Sequence, residues 1–416
     1  MANLNDSREA RKERLRQNIV TNNGSGKDAK RPSPKVFIVI VIIVIALSIL
    51  VFYLHSRGVL GQGTFSESSY TVEWSRNVEG DTGSVETFKA YKSFAGGIIK
   101  YTKDGAEYID SKGDVIWERS YQLNSPVIDT CDNYAVIGDQ GSTQIYIFDT
   151  TQMTGSSETL LPISLVRVAD NGVVYAVLND SGAEYITAFR QDGTAIDLSV
   201  KSVLGGDGYP FDIDVSPDGT ELLTSYLSIE NGQLVNNVVF RNFGSIGQNE
   251  DARRIVGGFK DEFAGHMAGY VHFSTDEYSQ AFYDGGAVFF STEVLNSPEV
   301  LENVSIEGKI EAVACSELIE ALITSGDTDN ASRSLIIFNN KGSKLGEVSL
   351  DERYTDLSIF DDMIMLRSGN NIRVYGKSGS LKAGFEFAEG DVTAIAGSAS
   401  GSLYCVTGTD IYKLRF

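Results

Sequence analysis

From residue 70 to the C-terminus, short runs of apolar residues alternate with polar ones at a period of two. β-branched and aromatic residues fill the apolar positions, and 42 glycines against 7 prolines punctuate the whole chain. Such a pattern, with no long stretch of helical period, predicts many short antiparallel strands joined by tight turns. One hairpin recurs. An apolar strand ends in an aromatic or aliphatic residue, a turn of Asp, Asn, Lys or Gly follows, and a second strand leaves it. Copies run through Tyr108, Gly113 and Trp117, through Ile145 and Asp149, and through Ile186 and Gly193. Others run through Val238 and Gly244, Ala287, Leu335 and Gly342, and Ile372 and Gly379, and the last is Asp410 to Phe416.

The turns of these copies fall near residues 112, 150, 192, 243, 294, 341, 378 and 414, a mean spacing of about 43 residues, which is the length a four-stranded β-propeller blade requires. Two further apolar runs precede each hairpin, as at Ile310–Cys315 and Ile319–Thr324. The count is eight blades, with seven as the alternative, and one strand is missing at the C-terminal end. Tyr70-Thr-Val-Glu-Trp74 matches the fourth-strand pattern of Asp114-Val-Ile-Trp117. Pairing it with residues 411–416 closes the ring through both ends of the domain, which removes edge strands that would otherwise template aggregation. A β-sandwich or two smaller all-β domains would not keep so steady a period.

Before the repeats the pattern changes twice. Residues 36–54 are nineteen consecutive uncharged positions in which Ser48 and Tyr53 carry the side-chain polar groups. As a helix this run is about 28 Å long, close to the hydrocarbon thickness of a bilayer, and it has no polar face for a soluble core helix to expose. It predicts one transmembrane helix. No small-residue cleavage pattern follows, so an uncleaved signal anchor is expected rather than a removed signal peptide. Residues 1–35 form a polar, largely disordered tail and residues 55–69 a linker, with the propeller over 70–416.

Charge orients this arrangement. The chain carries 35 Lys and Arg against 56 Asp and Glu; nine of the basic and four of the acidic residues lie in 1–35, which leaves 26 basic and 52 acidic residues after it. A basic flank stays cytoplasmic, so the expected location is the cell membrane, single-pass, with the N-terminus inside and the propeller extracytoplasmic. The strong negative charge beyond the helix disfavours nucleic acid and anionic lipid as partners. Cys131, Cys315 and Cys405 are odd in number and far apart, so buried thiols are expected in place of a disulfide framework or a metal site.

The segment Ile109-Asp-Ser-Lys-Gly-Asp-Val-Ile-Trp117 resembles the Asp-x-x-Gly-x-x-x-Trp turn of quinoprotein-like (PQQ-like) propeller repeats. Val215-Ser-Pro-Asp-Gly219-Thr resembles the hairpin of WD40-like and Tol-type propellers. The layout of basic tail, single helix and eight repeats resembles an uncharacterised family of single-pass, membrane-anchored β-propellers of clostridia-type bacteria. The resemblance implies a fold more than an activity. Quinone-dependent dehydrogenases of this fold use a vicinal cysteine pair and several tryptophans at the cofactor. This chain has no adjacent cysteines, and its two tryptophans, Trp74 and Trp117, fall on predicted outermost strands. No cofactor is expected.

Catalytic patterns are sparse. His266 and His272 flank or occupy a predicted inner strand over 267–274 without a ligand signature. Gly326-Asp-Thr-Asp-Asn330 begins like a calcium loop but lacks its completing glycine and glutamate. Asp212 and Asp214 alternate on a strand, where paired carboxylates can act as acid and base, although a solvated role is the simpler expectation in so acidic a domain. Blade topology puts the short glycine turns on one rim of the ring and the longer irregular segments on the other. Those segments are residues 204–211, 229–234 and 260–266. Irregular loops on a rigid scaffold are where binding usually resides, which nominates Asp207, Tyr209, Phe211, Asp261, Phe263 and His266 as a partner-binding patch. The leading expectation is a non-catalytic binding or scaffolding propeller presenting this rim to an envelope protein, a peptide or a glycan. A hydrolase or lyase using channel carboxylates, and a ligand sensor signalling through the tail, are the alternatives. The predicted closing strand starts on the tight-turn rim, so the irregular rim is expected to face away from the lipid.

Overall fold

The structure, a computed structural model, describes residues 69–78, 89–249, 253–326, 332–398 and 401–416. The predicted tail, membrane helix and most of the linker, and the Asp-Thr-Asp-Asn stretch after Gly326, lie outside the described residues. Among the described residues no helix is long and apolar enough to cross a membrane.

The period-two pattern resolves into eight four-stranded antiparallel sheets. Blade 1 spans residues 89–120, blade 2 126–158, blade 3 163–202 and blade 4 209–259; blade 5 spans 268–305, blade 6 309–350 and blade 7 356–386. Blade 8 joins three C-terminal strands over 392–415 to Thr71–Asn77, which pairs antiparallel with Asp410–Arg415 from Thr71↔Arg415 to Asn77↔Asp410. The chain is thus an all-β, eight-bladed propeller closed by strands from both ends of the domain, as its spacing predicts. Blades 8 and 1 also meet through Tyr404 Oη, which donates to the Gly96 carbonyl at 2.8 Å, and Ser93 Oγ, which donates to Gly397 O at 2.9 Å.

The apolar half of each strand packs against the next blade, so the core is a series of inter-blade layers. Leu223, Val238 and Phe240 of blade 4, for example, bury against Val271, Ala281 and Phe290 of blade 5. The two tryptophans lie on outermost strands and do the same work. Trp117 Nε1 donates to the Asp149 carbonyl of blade 2 at 2.9 Å, and its ring stacks on Phe148 at 4.5 Å. Trp74 Nε1 donates to the Ser111 carbonyl of blade 1 at 3.1 Å. The turn that receives Trp74 needs glycine twice over. Gly113 has φ 92°, and a Cβ there would stand 3.0 Å from the indole. Asp110 Oδ1 organises the same turn by accepting the amides of Lys112 and Asp114 at 2.8 and 3.0 Å.

One expectation about the rims needs correcting. The tight-turn rim also carries two longer connections between third and fourth strands, residues 243–254 in blade 4 and 292–298 in blade 5. The first contains the short 3-10 helix Gly247–Asn249, and the second exposes Val294 and Leu295. Blade pairing constrains where the strands lie but not the length of a surface connection between them.

Candidate interaction surface on blade 4

The channel wall holds a charged cluster on the inner strands of blades 2 to 5. Arg167 Nη2 lies 2.7 Å from Asp212 Oδ1, and its Nε lies 3.9 Å from Asp214 Oδ1. The free oxygens of these carboxylates are taken by the neighbouring blade: Asp212 Oδ2 accepts the Val271 amide at 2.9 Å and Asp214 Oδ2 the Phe273 amide at 2.8 Å. Asp129 Oδ2 accepts the Val168 amide in the same way at 2.9 Å, tying blade 2 to blade 3. His272 Nδ1 stands 3.0 Å from Asp214 Oδ2. Asp212 is 5% exposed, so the expectation of a solvated carboxylate is wrong here. Inner-strand backbone amides have no partner within their own sheet on the channel side, and these carboxylates supply one while bridging the blades.

The electrostatics follow from this burial. Desolvation raises the Asp212 pKa to about 6, with the Arg167 charge pulling it back. Burial opposes the charge on His272, but the hydrogen bond and charge of Asp214 outweigh it and raise its pKa. Burial pushes the Cys315 thiol well above its ordinary range, next to the buried carboxyl of Glu320. Such a thiol is a poor source of nucleophilic thiolate. Cys131 and Cys405 are free, and burial raises both thiols. Among the described residues no group of three or more His, Cys, Asp or Glu is arranged to hold a metal ion.

On the rim opposite the tight turns, blade 4 departs from its neighbours. Its second and third strands, Glu221–Glu230 and Gln233–Asn242, have ten residues each. The flanking strands stop earlier, at Tyr209↔Leu227 on one side and Val238↔Phe259 on the other. The remaining residues, 228–235, therefore continue past both flanking strands as a two-stranded ribbon roughly 10 Å long at about 3.3 Å per residue, with Ser228 still buried at its foot and residues 229–234 exposed. Asn231 (φ 51°) and Gly232 (φ 79°) close it, the two left-handed positions of the hairpin turn that Asn-Gly favours. Ile229 and Leu234 face each other across the tip and are 64% and 54% exposed.

The base of this ribbon is fixed. Asn236 is buried; its Nδ2 donates to Ser225 Oγ and Tyr226 O, both at 2.9 Å, and its Oδ1 accepts the Ala268 amide of blade 5 at 2.7 Å. Lys260 Nζ pairs with Glu230 at 2.7 Å on the outer side.

The nominated patch residues flank the ribbon in two groups. Asp207, Tyr209 and Phe211 lie on the segment entering blade 4, where Asp207 pairs with Arg253, Tyr209 is half-buried and Phe211 is exposed. Asp261, Phe263 and His266 lie on the segment leaving it. Asp261 and His266 are exposed, and His266 Nδ1 meets Asp284 Oδ1 at 2.9 Å. Phe263 does not belong to a surface: it is 1% exposed and packs edge-on against Tyr283 at 5.7 Å, pinning the loop into the core. Reasoning from aromatic loop residues missed the aliphatic ones. Besides Ile229 and Leu234, Leu160, Val203 and Leu204 are exposed on the same rim. Their signal in the sequence is apolar side chains in segments otherwise built for turns.

Against known proteins, the fold alone is shared. The WD40 domain of SCAP from fission yeast aligns with a TM-score of 0.50 at 9% identity, covering 84% of this chain and 98% of that one. BamB from Moraxella catarrhalis aligns at 0.49 and 14% identity, over 84% of this chain and all of that one. AztD from Citrobacter koseri aligns at 0.49 and 11% identity, over 73% of this chain and 87% of that one. Among curated proteins nothing matches the sequence. A family model does, over residues 64–416, and it covers the whole ring.

Proposed function

Because the chain belongs to that family, a family of unknown function (DUF5711), we propose its role from its own surface: a binding or scaffolding propeller that engages its partner through the blade 4 ribbon. The exposed Ile229–Leu234 pair on a fixed base carries this reading. Large apolar groups held out into water on a rigid element are what a partner's apolar surface buries. Aliphatic side chains at the tip favour a protein or peptide over a glycan. The channel carboxylates, taken up by Arg167 and by neighbouring-blade amides, favour holding the ring together over acid–base hydrolysis or elimination.

In this reading the protein is a single-pass protein of the cell membrane. Residues 36–54 span the bilayer, the N-terminal tail is cytoplasmic and the propeller lies outside. Thr71–Asn77 begins on the tight-turn rim, opposite the ribbon, which supports a ribbon directed away from the lipid toward an envelope protein.

The test places a photo-crosslinking amino acid at position 234, and separately at Lys112 on the opposite rim, in the full chain in its native membrane. A discrete protein adduct at 234 that Ile229→Asp abolishes, with none at 112, is the expected result. Equal adducts from both positions, or persistence in the variant, would overturn the proposal. A single cysteine at Gln233 is expected to react with a membrane-impermeant maleimide in intact cells, and protection there would reverse the topology.

A further inference from the structure

Another surface stands on the same rim as the ribbon, where blade 2 meets blade 3. Residues 159–162, Thr-Leu-Leu-Pro, connect the two blades. Leu160 is 97% exposed, more than any other large apolar side chain among the described residues. Its neighbour Leu161 packs against the layer between blades 2 and 3 that holds Val136, Ile163 and Val166. One leucine anchors the connection and the next is held out into water.

Hydrogen bonds fix this knuckle on both sides. Thr159 N donates to Thr143 O at 2.8 Å, and Thr159 Oγ1 donates to Leu161 O at 2.7 Å. Ile163 N donates to Ser142 O at 2.7 Å and Gly141 N to Ile163 O at 2.8 Å, which ties the connection to the 140–143 turn of blade 2. From blade 3, Asn179 N donates to Pro162 O at 2.8 Å. Asp139, 2% exposed at the start of the same turn, accepts the Asn124 and Ser125 amides at 2.9 and 2.7 Å through Oδ1. The blade 1–blade 2 connection, the blade 2 turn and the knuckle therefore form one braced platform.

A lone exposed aliphatic side chain is ordinary on a protein surface. What sets Leu160 apart is the charge around it. None of the residues 121–125, 140–143 and 159–162 is charged, and the exposed polar ones are Gln122, Asn124, Ser125 and Gln140. Asp104 and Asp180 bound the sector on the neighbouring blades and Glu158 bounds it at the outer edge, all three exposed. After residue 35 the chain holds 26 basic and 52 acidic residues, so this sector is a gap in an acidic surface. Covering an acidic connection desolvates a carboxylate unless the partner brings a cation. Covering this sector strands no charge, and its amides can pair with the backbone of whatever lies over it. The matching surface is therefore neutral, with an apolar recess for Leu160. A braced base also leaves little loop motion to be lost on association.

We propose that the Leu160 knuckle is a second protein-binding surface, which takes an uncharged, apolar segment of a partner protein. It stands on its own residues and does not depend on the ribbon.

The probe is a random linear peptide library displayed on phage, panned on the full-length protein in nanodiscs with empty nanodiscs as the counter-selection. The enriched peptides are expected to be apolar and free of charge, and synthetic copies should bind equally well at low and high salt. Leu160→Asn should weaken that binding at least tenfold, Leu160→Met should retain it, and Ile229→Asp should leave it as in the parent. At 97% exposure, position 160 can be changed without disturbing the core. Absence of any Leu160-dependent peptide, or a dependence confined to basic peptides that salt releases, overturns the proposal. A dimer, or attachment to zwitterionic vesicles, that Leu160→Asn removes would also overturn it, because either gives the knuckle a different occupant.

Discussion

Within blade 4 the two ends of a single hairpin are built differently. At its inner flank and base, polar groups are buried or half-buried and committed: Asp212 and Asp214 bind Arg167 on one side and blade 5 amides on the other, and Asn236 spans Ser225, Tyr226 and Ala268. At its tip, apolar groups are exposed and uncommitted, with Ile229 and Leu234 paired to each other across the strands. Globular surfaces usually show the reverse assignment, with polar groups outside and apolar ones within. A base that resists deformation and a tip that gains by being covered form a mount and a contact surface. The comparison teaches that charge in this channel is structural and that the functional surface should be sought among aliphatic residues.

The largest expected effect is at the base. Asp212→Ala removes the closer partner of the half-buried Arg167 guanidinium and orphans the buried Val271 amide, so unfolding in urea should show a loss of about 3 kcal/mol. The tip variant Ile229→Ser should stay within about 0.5 kcal/mol of the parent. Similar losses in the two variants would erase the distinction between the two ends.

A middle-sized effect should appear with pH, through Glu221 at the start of the same hairpin. It is 2% exposed, and burial raises its pKa to about 7, with Asn242 opposing and Asp218 and Asp276 reinforcing the shift. A carboxyl whose folded pKa lies above its unfolded value holds a proton that the unfolded chain has released. Its contribution to stability is therefore greatest below the unfolded pKa and declines as pH rises to about 7. Asp212 acts in the same direction up to about pH 6. The raised pKa of His272 means that its pairing with Asp214 is fully present below the unfolded value and is lost as pH rises through the folded one. Carboxylates with lowered pKa, such as Glu73 beside Lys413 and Glu311 beside Arg333, lose their contribution only at lower pH. The melting temperature should thus be higher near pH 5 than at pH 8. Glu221→Gln, which cannot ionise, should gain about 1–3 kcal/mol at pH 8 at about 1.4 kcal/mol per pKa unit and almost nothing at pH 5. An unchanged difference between the two pH values in that variant would remove Glu221 from the account.

The ring itself was legible in the sequence because each blade must bury one face of every strand, and that requirement repeats. Closure was legible for a similar reason, since Trp74 and Trp117 serve equivalent turns and so sit in equivalent local patterns. The base of the site was only half visible. Asp212 and Asp214 could be seen to alternate, but the groups that take them up, Arg167, Val271 and Phe273, are 45 to 59 residues away in the chain and meet them only when the blades assemble. Phe263 misled because an aromatic residue in a loop has the same sequence appearance whether it anchors that loop or decorates it. The tip was fully written in Ile229-Glu-Asn-Gly-Gln-Leu234, but strand alternation alone does not say where the neighbouring strands end.

The smallest effect tests whether the tip works as a preorganised platform or merely as apolar area. Gly232→Ala leaves Ile229 and Leu234 unaltered, and a Cβ at this position meets nothing within 4 Å. The strain is purely conformational, from φ 79°, and amounts to about 1–2 kcal/mol for a residue with a Cβ in the left-handed region. Because the ribbon projects beyond the sheet, that strain should appear as faster amide exchange at Glu230 and Gln233 with little change in global unfolding. If the fixed geometry of the pair matters for binding, the crosslinked adduct from position 234 should fall several-fold in Gly232→Ala, because a loosened ribbon must be reordered on association. If apolar area alone matters, the adduct will survive the loosening and vanish only when Ile229 itself becomes charged.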